Sequence, residues 1–337
     1  MTKPTVLVTG GAGYIGSHAV LALLDSGYPV VVIDNLTTGF RWAVDPRAAF
    51  VQGSVDDDDL VRETLRQHQV GAIMHFAGSI IVPESVENPL KYYKNNTAAS
   101  RSLIESAVVC GVPHFIFSST ATLYGIVERW PIREDFPLQP INPYGKSKLM
   151  TEQMLADVAA AHPLSYGVLR YFNVAGADPQ GRSGQSTEGA THLIKVAVEA
   201  ATGKRDHVAV FGTDYDTRDG TGMRDYIHVS DLAAAHVATL EALIANPGTN
   251  YTMNVGYGTG STVLEVLDAV DRVTNMTIER RIEPRRAGDP PVLVADNSAI
   301  LATLPWRPKR DNLDTIIADA LAWERKLAER AEQPALA

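Results

Sequence analysis

Short apolar runs rich in β-branched residues alternate with longer amphipathic segments through residues 1–175. The runs at 6–9, 30–34, 72–77, 114–118 and 166–171 read as strands. Between them, residues 15–26 are apolar at Ile15, Ala19, Ala22 and Leu23 and end at Gly27, the mark of a helix closed by a left-handed residue. A longer helix is expected over 90–110, stopping at Gly111, and another over 144–161, stopping before Pro163. This alternation predicts an α/β fold with a doubly wound parallel sheet of Rossmann type and right-handed crossovers.

After residue 175 the rhythm changes. Gly-rich and polar connections surround a helix near 191–202, and an Arg- and Pro-rich stretch covers 283–291. Such irregularity suits a smaller C-terminal substrate-binding domain. Runs at 226–229 and 251–255 again read as strands, able to return to the main sheet. The expected division is therefore 1–175 with 224–255 for a cofactor-binding domain, 176–223 and 256–325 for the substrate-binding domain, and 326–337 as a tail. Residues from 323 onward read as a charged helix that frays.

Composition narrows the classes. The 337 residues are 45% hydrophobic and 20% charged with a single cysteine, Cys110, so a disulfide-framed or disordered chain is excluded. A net charge of -9 argues against a nucleic-acid surface. No uncharged apolar run approaches the roughly 18 residues that a spanning helix needs, and no secretory leader is visible, so a cytoplasmic home is the default. The acidic run Asp56 to Asp59 suits a helix start, where carboxylates meet the positive dipole end. With no other ligand spacing beside it, no metal is expected.

The strand at 6–9 runs directly into GGAGYIG, which sets Gly10, Gly13 and Gly16 three residues apart at the mouth of a helix. A tight turn, close approach of backbone to a pyrophosphate, and close packing of helix on strand each require a missing side chain. A second strand ends at Asp34, where a carboxylate can bind both ribose hydroxyls and would repel a 2′-phosphate. NAD is thus favoured over NADP. HFAG (75–78) and FSST (117–120) should line the crevice at the carboxyl ends of the strands.

In NPYGKSK, Tyr144 and Lys148 stand four apart at a helix start, on one face. A phenol is a poor base near neutrality, but an adjacent ammonium favours its ionised form. Thr120, at a neighbouring strand end, could hydrogen-bond the same substrate oxygen. These three groups suffice for alcohol oxidation.

Taken with DNL, ESVENPLKYYKNN, FSSTATLYG, RYFN, FGTDYDTRDGTGMRDYIHVSDL and PRRAGD, these motifs cover nearly the whole chain. The sequence resembles the extended short-chain dehydrogenase/reductases, and within them the branch that inverts C4 of UDP-hexoses through a 4-keto sugar. The resemblance implies that Tyr144 is the catalytic base, Lys148 its activator and a ribose contact, and Thr120 the hydroxyl partner where the family often has Ser. It implies further NAD contacts from Tyr14, Ile15, Asn35, Ser54, Val55, Phe76, Ala77, Gly78, Asn95 and Phe172. For the UDP-sugar it implies Asn173, His192, Leu193, Phe211, Arg224, Arg286 and Asp289. Arginine forks match phosphate oxygens, so an acidic protein would concentrate cations there. A homodimer through the helices at 90–110 and 144–161 is also implied.

Three positions depart from the family pattern: Ser54 replaces an Asp at the adenine, Ile80 replaces a Lys near the phosphates, and Thr191-His192 replaces an Asn-rich pair at the sugar. A 4,6-dehydratase would carry an Asp-Glu pair where this chain has Ala121 and Thr122. A UDP-GlcNAc or UDP-glucuronate enzyme, or a noncatalytic NAD-binding module, are the remaining alternatives. Leu293, beside the expected sugar 2-substituent, is of intermediate size and does not choose between them.

Overall fold

The computed structural model describes residues 3–286 and 289–332. Seven parallel strands form the main sheet, in the spatial order Tyr251–Val255, Ser165–Tyr171, His114–Thr120, Val70–His75, Thr5–Thr9, Val30–Asp34 and Ala49–Gln52. The order reverses between Thr5–Thr9 and Val70–His75, the point at which a doubly wound sheet places its ligand crevice at the carboxyl ends of the strands. Alternate residues of each strand feed two cores. Leu7, Ile33, Ile73, Phe115 and Phe117 pack with Leu103 and Leu155 on one face. Val6, Val8, Val32, Met74 and Ile116 pack with Val20, Leu23 and Leu240 on the other. Burial on both faces is why these strands are nearly continuous apolar runs.

The helices largely follow the sequence reading. Tyr14–Asp25 is followed by Gly27 at φ +78°, and Pro143–Ala161 stops before Pro163. Asp57 caps Asp58–Gln67, its carboxylate accepting the Leu60 N–H at 3.1 Å. The helix at 191–202 is Leu193–Ala201.

Four differences have physical causes. Ala49–Gln52, absent from the expected strands, is a short edge strand whose first and last residues are exposed, so its apolar signal is weak. The single helix at 90–110 is Pro89–Tyr92, then π turns over Tyr93–Ala98, then Ala99–Val109, because a bulge turns buried Asn96 toward Ser79. The expected strand at 226–229 does not return to the main sheet. Tyr226–His228 pairs instead with Asn173–Ala175 in a two-stranded parallel sheet, while Tyr251–Val255 does join the main one. The last helix, Leu313–Glu332, begins ten residues before 323, and Trp323 and Glu324 within it are buried; the Glu324 carboxylate accepts from Lys195 and Lys204. Residues 333–337 of the expected tail lie outside the described residues.

Beyond the sheet, Ile194, Val198, Val208, Val210, Val266, Leu267, Ile316 and Leu321 build a separate core. This second lobe carries short strand pairs of its own, Arg280–Glu283 with Val208–Phe211 and Met223–Arg224 with Ser261–Thr262 and Val292–Leu293. Among the described residues no helix is long and apolar enough to cross a membrane.

Candidate active site

The glycine turn comes first. Gly10 adopts φ +69°, and a Cβ there would stand 2.7 Å from the Ala77 nitrogen; a Cβ on Gly16 would stand 2.1 Å from the Gly10 carbonyl oxygen. Gly13 precedes the helix Tyr14–Asp25 with no side-chain cap, and its first turn holds no acid. The leading N–H groups are left for an anion. Asp34 lies against this turn, 8% exposed, with its two oxygens accepting the N–H groups of Ala12 and Leu36 at 2.9 and 2.8 Å. Each oxygen keeps a lone pair for a further donor. An uncapped helix, a cradle that any Cβ would fill and a fixed carboxylate together fit a dinucleotide.

The neighbouring contacts are uneven. Asn35 is exposed and its Oδ1 accepts the Thr37 N–H. Ser54 is half-buried after the edge strand, whereas the Val55 side chain is in the core. The Tyr14 phenol donates to the Gly176 carbonyl at 2.7 Å, so that hydroxyl is engaged elsewhere; Ile15 packs against the cluster of Leu169, Val174 and Ile227. Phe76 lies 4.9 Å from the His236 ring, and Ala77 follows it over the Thr9 hydroxyl. Gly78 passes so close to Asn96 that a Cβ would be 2.9 Å from Oδ1. Asn95 donates to the Ser79 hydroxyl, and Ile80 is exposed.

Thr120, Tyr144 and Lys148 meet in a buried corner at the end of strand His114–Thr120. Asn142 caps the helix that carries the last two, accepting the Gly145 N–H at 2.9 Å, and Pro143 opens it. Burial pushes the Tyr144 phenol up to about 12, a rise partly offset by the nearby Thr120 hydroxyl. Burial brings Lys148 down to about 8, opposed by the charge of Glu152. The Lys148 ammonium donates to the Ser118 carbonyl at 2.9 Å and sits 4.7 Å from the centre of the Phe117 ring. Burial, with the Lys148 charge, also holds His75 neutral, down to about 3, between Thr9 and Ser100. A phenol near a strand-end hydroxyl, with an ammonium one helical turn along, supplies the groups needed to move a proton on and off an alcohol.

The substrate candidates fall into two groups. Asn173, His192 and Leu193 line a small cleft together with Gln185, Tyr226 and Trp323. The Gln185 amide bonds His192 Nδ1 at 2.9 Å. On the second lobe, the Arg286 guanidinium lies 3.8 Å over the Phe211 ring, and Arg224 donates to the Met223 carbonyl. Among the described residues neither arginine has a carboxylate partner, whereas Arg285 is bound to Asp214 and stacked on Tyr215. The Asp289 N–H donates to the Arg286 carbonyl; residues 287 and 288 lie outside the described residues. Phe172 packs with Leu293, Ala121 and Tyr124 below the catalytic corner.

Sequence reasoning passed over Asn96 and Asp225. Asn96 bonds both backbone groups of Ser79 and the Ser147 hydroxyl, holding the Gly78 loop against the catalytic helix. Asp225, fully buried beside Arg224, accepts the N–H groups of Tyr257, Gly258 and Ala295, and burial pushes it up to about 6. The doubled Asn of YYKNN and the Arg-Asp step were the only signals.

A glycine turn feeding a Tyr-Lys-hydroxyl corner defines a dinucleotide-dependent α/β protein equipped for alcohol and ketone chemistry. The profile of the NAD dependent epimerase/dehydratase family matches residues 6–256. The chain belongs to that family. It is 54% identical over 331 residues to a UDP-glucose 4-epimerase of Azospirillum brasilense, covering 98% of this chain and 95% of that one. Its structure is similar to a UDP-glucose-4-epimerase from Stenotrophomonas maltophila with bound NAD and formylated UDP-arabinopyranose (TM-score 0.94, 38% identity, 97% and 99% of the two chains). It is also similar to the UDP-glucose 4-epimerase of Brucella ovis in complex with NAD (TM-score 0.92, 44% identity, 95% and 98%).

Proposed function

We propose that this protein is an NAD-dependent isomerase that inverts C4 of UDP-hexoses, interconverting UDP-glucose and UDP-galactose through a transient 4-keto sugar. The buried corner of Thr120, Tyr144 and Lys148 beside the glycine turn carries the reading. Gly10, Gly13 and Gly16, with the N–H groups of Tyr14 and Ile15, would hold the pyrophosphate. Asp34 and Asn35 would hold the adenosine ribose, Ser54 and Val55 the adenine surroundings, and Phe76, Ala77, Gly78, Asn95 and Phe172 the remaining wall. When bound, the nicotinamide supplies a positive charge and exchanges a hydride with sugar C4.

Tyr144 takes the proton of the C4 hydroxyl and later returns it. Thr120 bonds the same oxygen, and the Lys148 cation stabilises the phenolate while holding ribose. Inversion needs a hexose free to present either face, so binding energy belongs on the nucleotide. Arg224 and Arg286 pair the diphosphate, and Asn173, His192, Leu193, Phe211 and Asp289 complete the UDP-sugar site.

In this reading residues 1–175 with 224–255 form the NAD-binding domain, and 176–223 with 256–325 the substrate-binding one. Exposed Val86, Leu90, Val109 and Met150, on or beside the helices at 90–110 and 144–161, support a homodimer. The setting is cytoplasmic carbohydrate metabolism.

The test is incubation of the purified protein with UDP-galactose and no added NAD. UDP-glucose should form, and Tyr144→Phe should lower kcat by about 10²–10⁴. Bound NAD without turnover of UDP-galactose, UDP-GlcNAc or UDP-glucuronate would leave a noncatalytic module.

A further inference from the structure

The groups proposed for the chemistry come from two elements, Thr120 from a strand and Tyr144 and Lys148 from a helix, so something must fix one against the other. We propose that Glu152 is a positioning residue: with Ser119 and Arg170 it forms a buried clamp that sets the Thr120 hydroxyl relative to Tyr144 and Lys148. The inference rests on the epimerase reading above.

Glu152 lies one helical turn beyond Lys148 and is 8% exposed. Its Oε1 accepts the Ser119 hydroxyl at 2.5 Å. Arg170 grips the same carboxylate, with Nε at 3.1 and 3.2 Å from its two oxygens and Nη2 at 2.6 Å from Oε2. Ser119 and Arg170 face each other in register across strands His114–Thr120 and Ser165–Tyr171. One carboxylate thus ties the catalytic helix to two strands, one residue before Thr120.

The tie continues past Thr120. Arg170 Nη1 donates to the Tyr124 hydroxyl at 3.0 Å, and that hydroxyl donates to Asn254 Oδ1 at 2.7 Å. Tyr124 ends the 3₁₀ turn Ala121–Tyr124, within which the Thr122 N–H donates to Thr120 Oγ1 at 3.2 Å. Both sides of Thr120 are therefore anchored through Arg170. A buried ion pair returns little net stability once its desolvation is counted. Its contribution here is the geometry it imposes.

Glu152 also supplies negative charge near Lys148. The other groups facing that ammonium are Tyr144 on its own helix, the Ser118 carbonyl and Phe117 ring, neutral His75, and the Tyr171 phenol, which is bonded to Ser118. Loss of the Glu152 charge therefore moves Lys148 to lose its proton at lower pH.

The experiment compares wild type, Ser119→Ala, Glu152→Gln and the double variant Glu152→Met with Arg170→Met in UDP-galactose turnover, with Tm and bound NAD recorded for each. Ser119→Ala should lower kcat about tenfold with KM, Tm and NAD content nearly unchanged. Glu152→Gln should lower kcat further and shift the alkaline limb of its pH profile downward. The double variant should recover Tm without recovering kcat. Wild-type kcat and pH limb in Ser119→Ala and Glu152→Gln, or kcat recovering with Tm in the double variant, would overturn the clamp. Absence of turnover in wild type would instead overturn the epimerase reading.

Discussion

Lys148 and Tyr144 are 3% and 8% exposed, sit on one nineteen-residue helix, and are capped, packed and bonded before any ligand arrives. Arg224 and Arg286 stand on a two-residue strand and in a loop, half-buried and exposed respectively, and among the described residues neither has a carboxylate to hold it. In the proposed reading the floor of the site is thus arranged in advance, whereas the rim keeps its cations unspent. A floor of this kind is stabilising for a transition state but costly for the fold, since it buries an ammonium and a phenol. The rim has the opposite balance, with little cost in folding and its attraction released only on a phosphate.

The sharpest way to break this contrast is Lys148→Met. It should lower kcat by roughly 10³ while raising Tm, because a buried cation is removed. Burial depresses the folded value of Lys148 to about 8, so between pH 8 and its ordinary 10.5 the unfolded chain binds more protons. Wild-type stability should therefore gain on the variant as pH climbs through that window, and thermal melts from pH 7 to 10.5 would reveal an opposite slope. At the rim, Arg286→Ala and Arg224→Ala should each raise KM for UDP-galactose about 10- to 100-fold with a smaller change in kcat and no gain in Tm. Equal losses in kcat and kcat/KM would place these arginines with the floor. Gly16→Ala tests the cofactor side: its Cβ would press on the Gly10 carbonyl, and the NAD released on denaturation should fall about tenfold per mole of protein.

The smallest effect is expected at Asp225. Its folded value, about 6, is raised by burial, so its stabilising share is full below about pH 4 and is lost as pH rises through 6. The Tm of wild type relative to Asp225→Asn should decline across that interval. A flat difference would mean that the three N–H groups it accepts outweigh its burial.

The floor was more legible in the sequence than the rim, for reasons of distance along the chain. Gly10, Gly16 and Asp34 answer demands made by adjacent backbone, and Tyr144 with Lys148 needs only the period of a helix. Asn96 was missed because its partner Ser79 is 17 residues away, and Asp225 because Tyr257 is 32 away. Arg224, Arg286 and Phe211 were reached through family resemblance, since no periodicity says where a two-residue strand or a loop will sit. The sheet itself was readable except at Ala49–Gln52, where exposure dilutes the apolar signal, and at Tyr226–His228, whose apolar run could not reveal which strand it would pair with.

Tyr251–Val255 completes the sheet against Ser165–Tyr171, yet it is synthesised some 80 residues later. At about 5–20 residues per second a growing chain spends roughly four seconds or more with that inner strand unpaired along one side. During translation, the newborn protein therefore carries an open edge of backbone amides and carbonyls, a template for sticking to its neighbours on the same messenger. Ribosome pausing between these two segments should lengthen that exposure, and chaperone demand in the cell should rise with it.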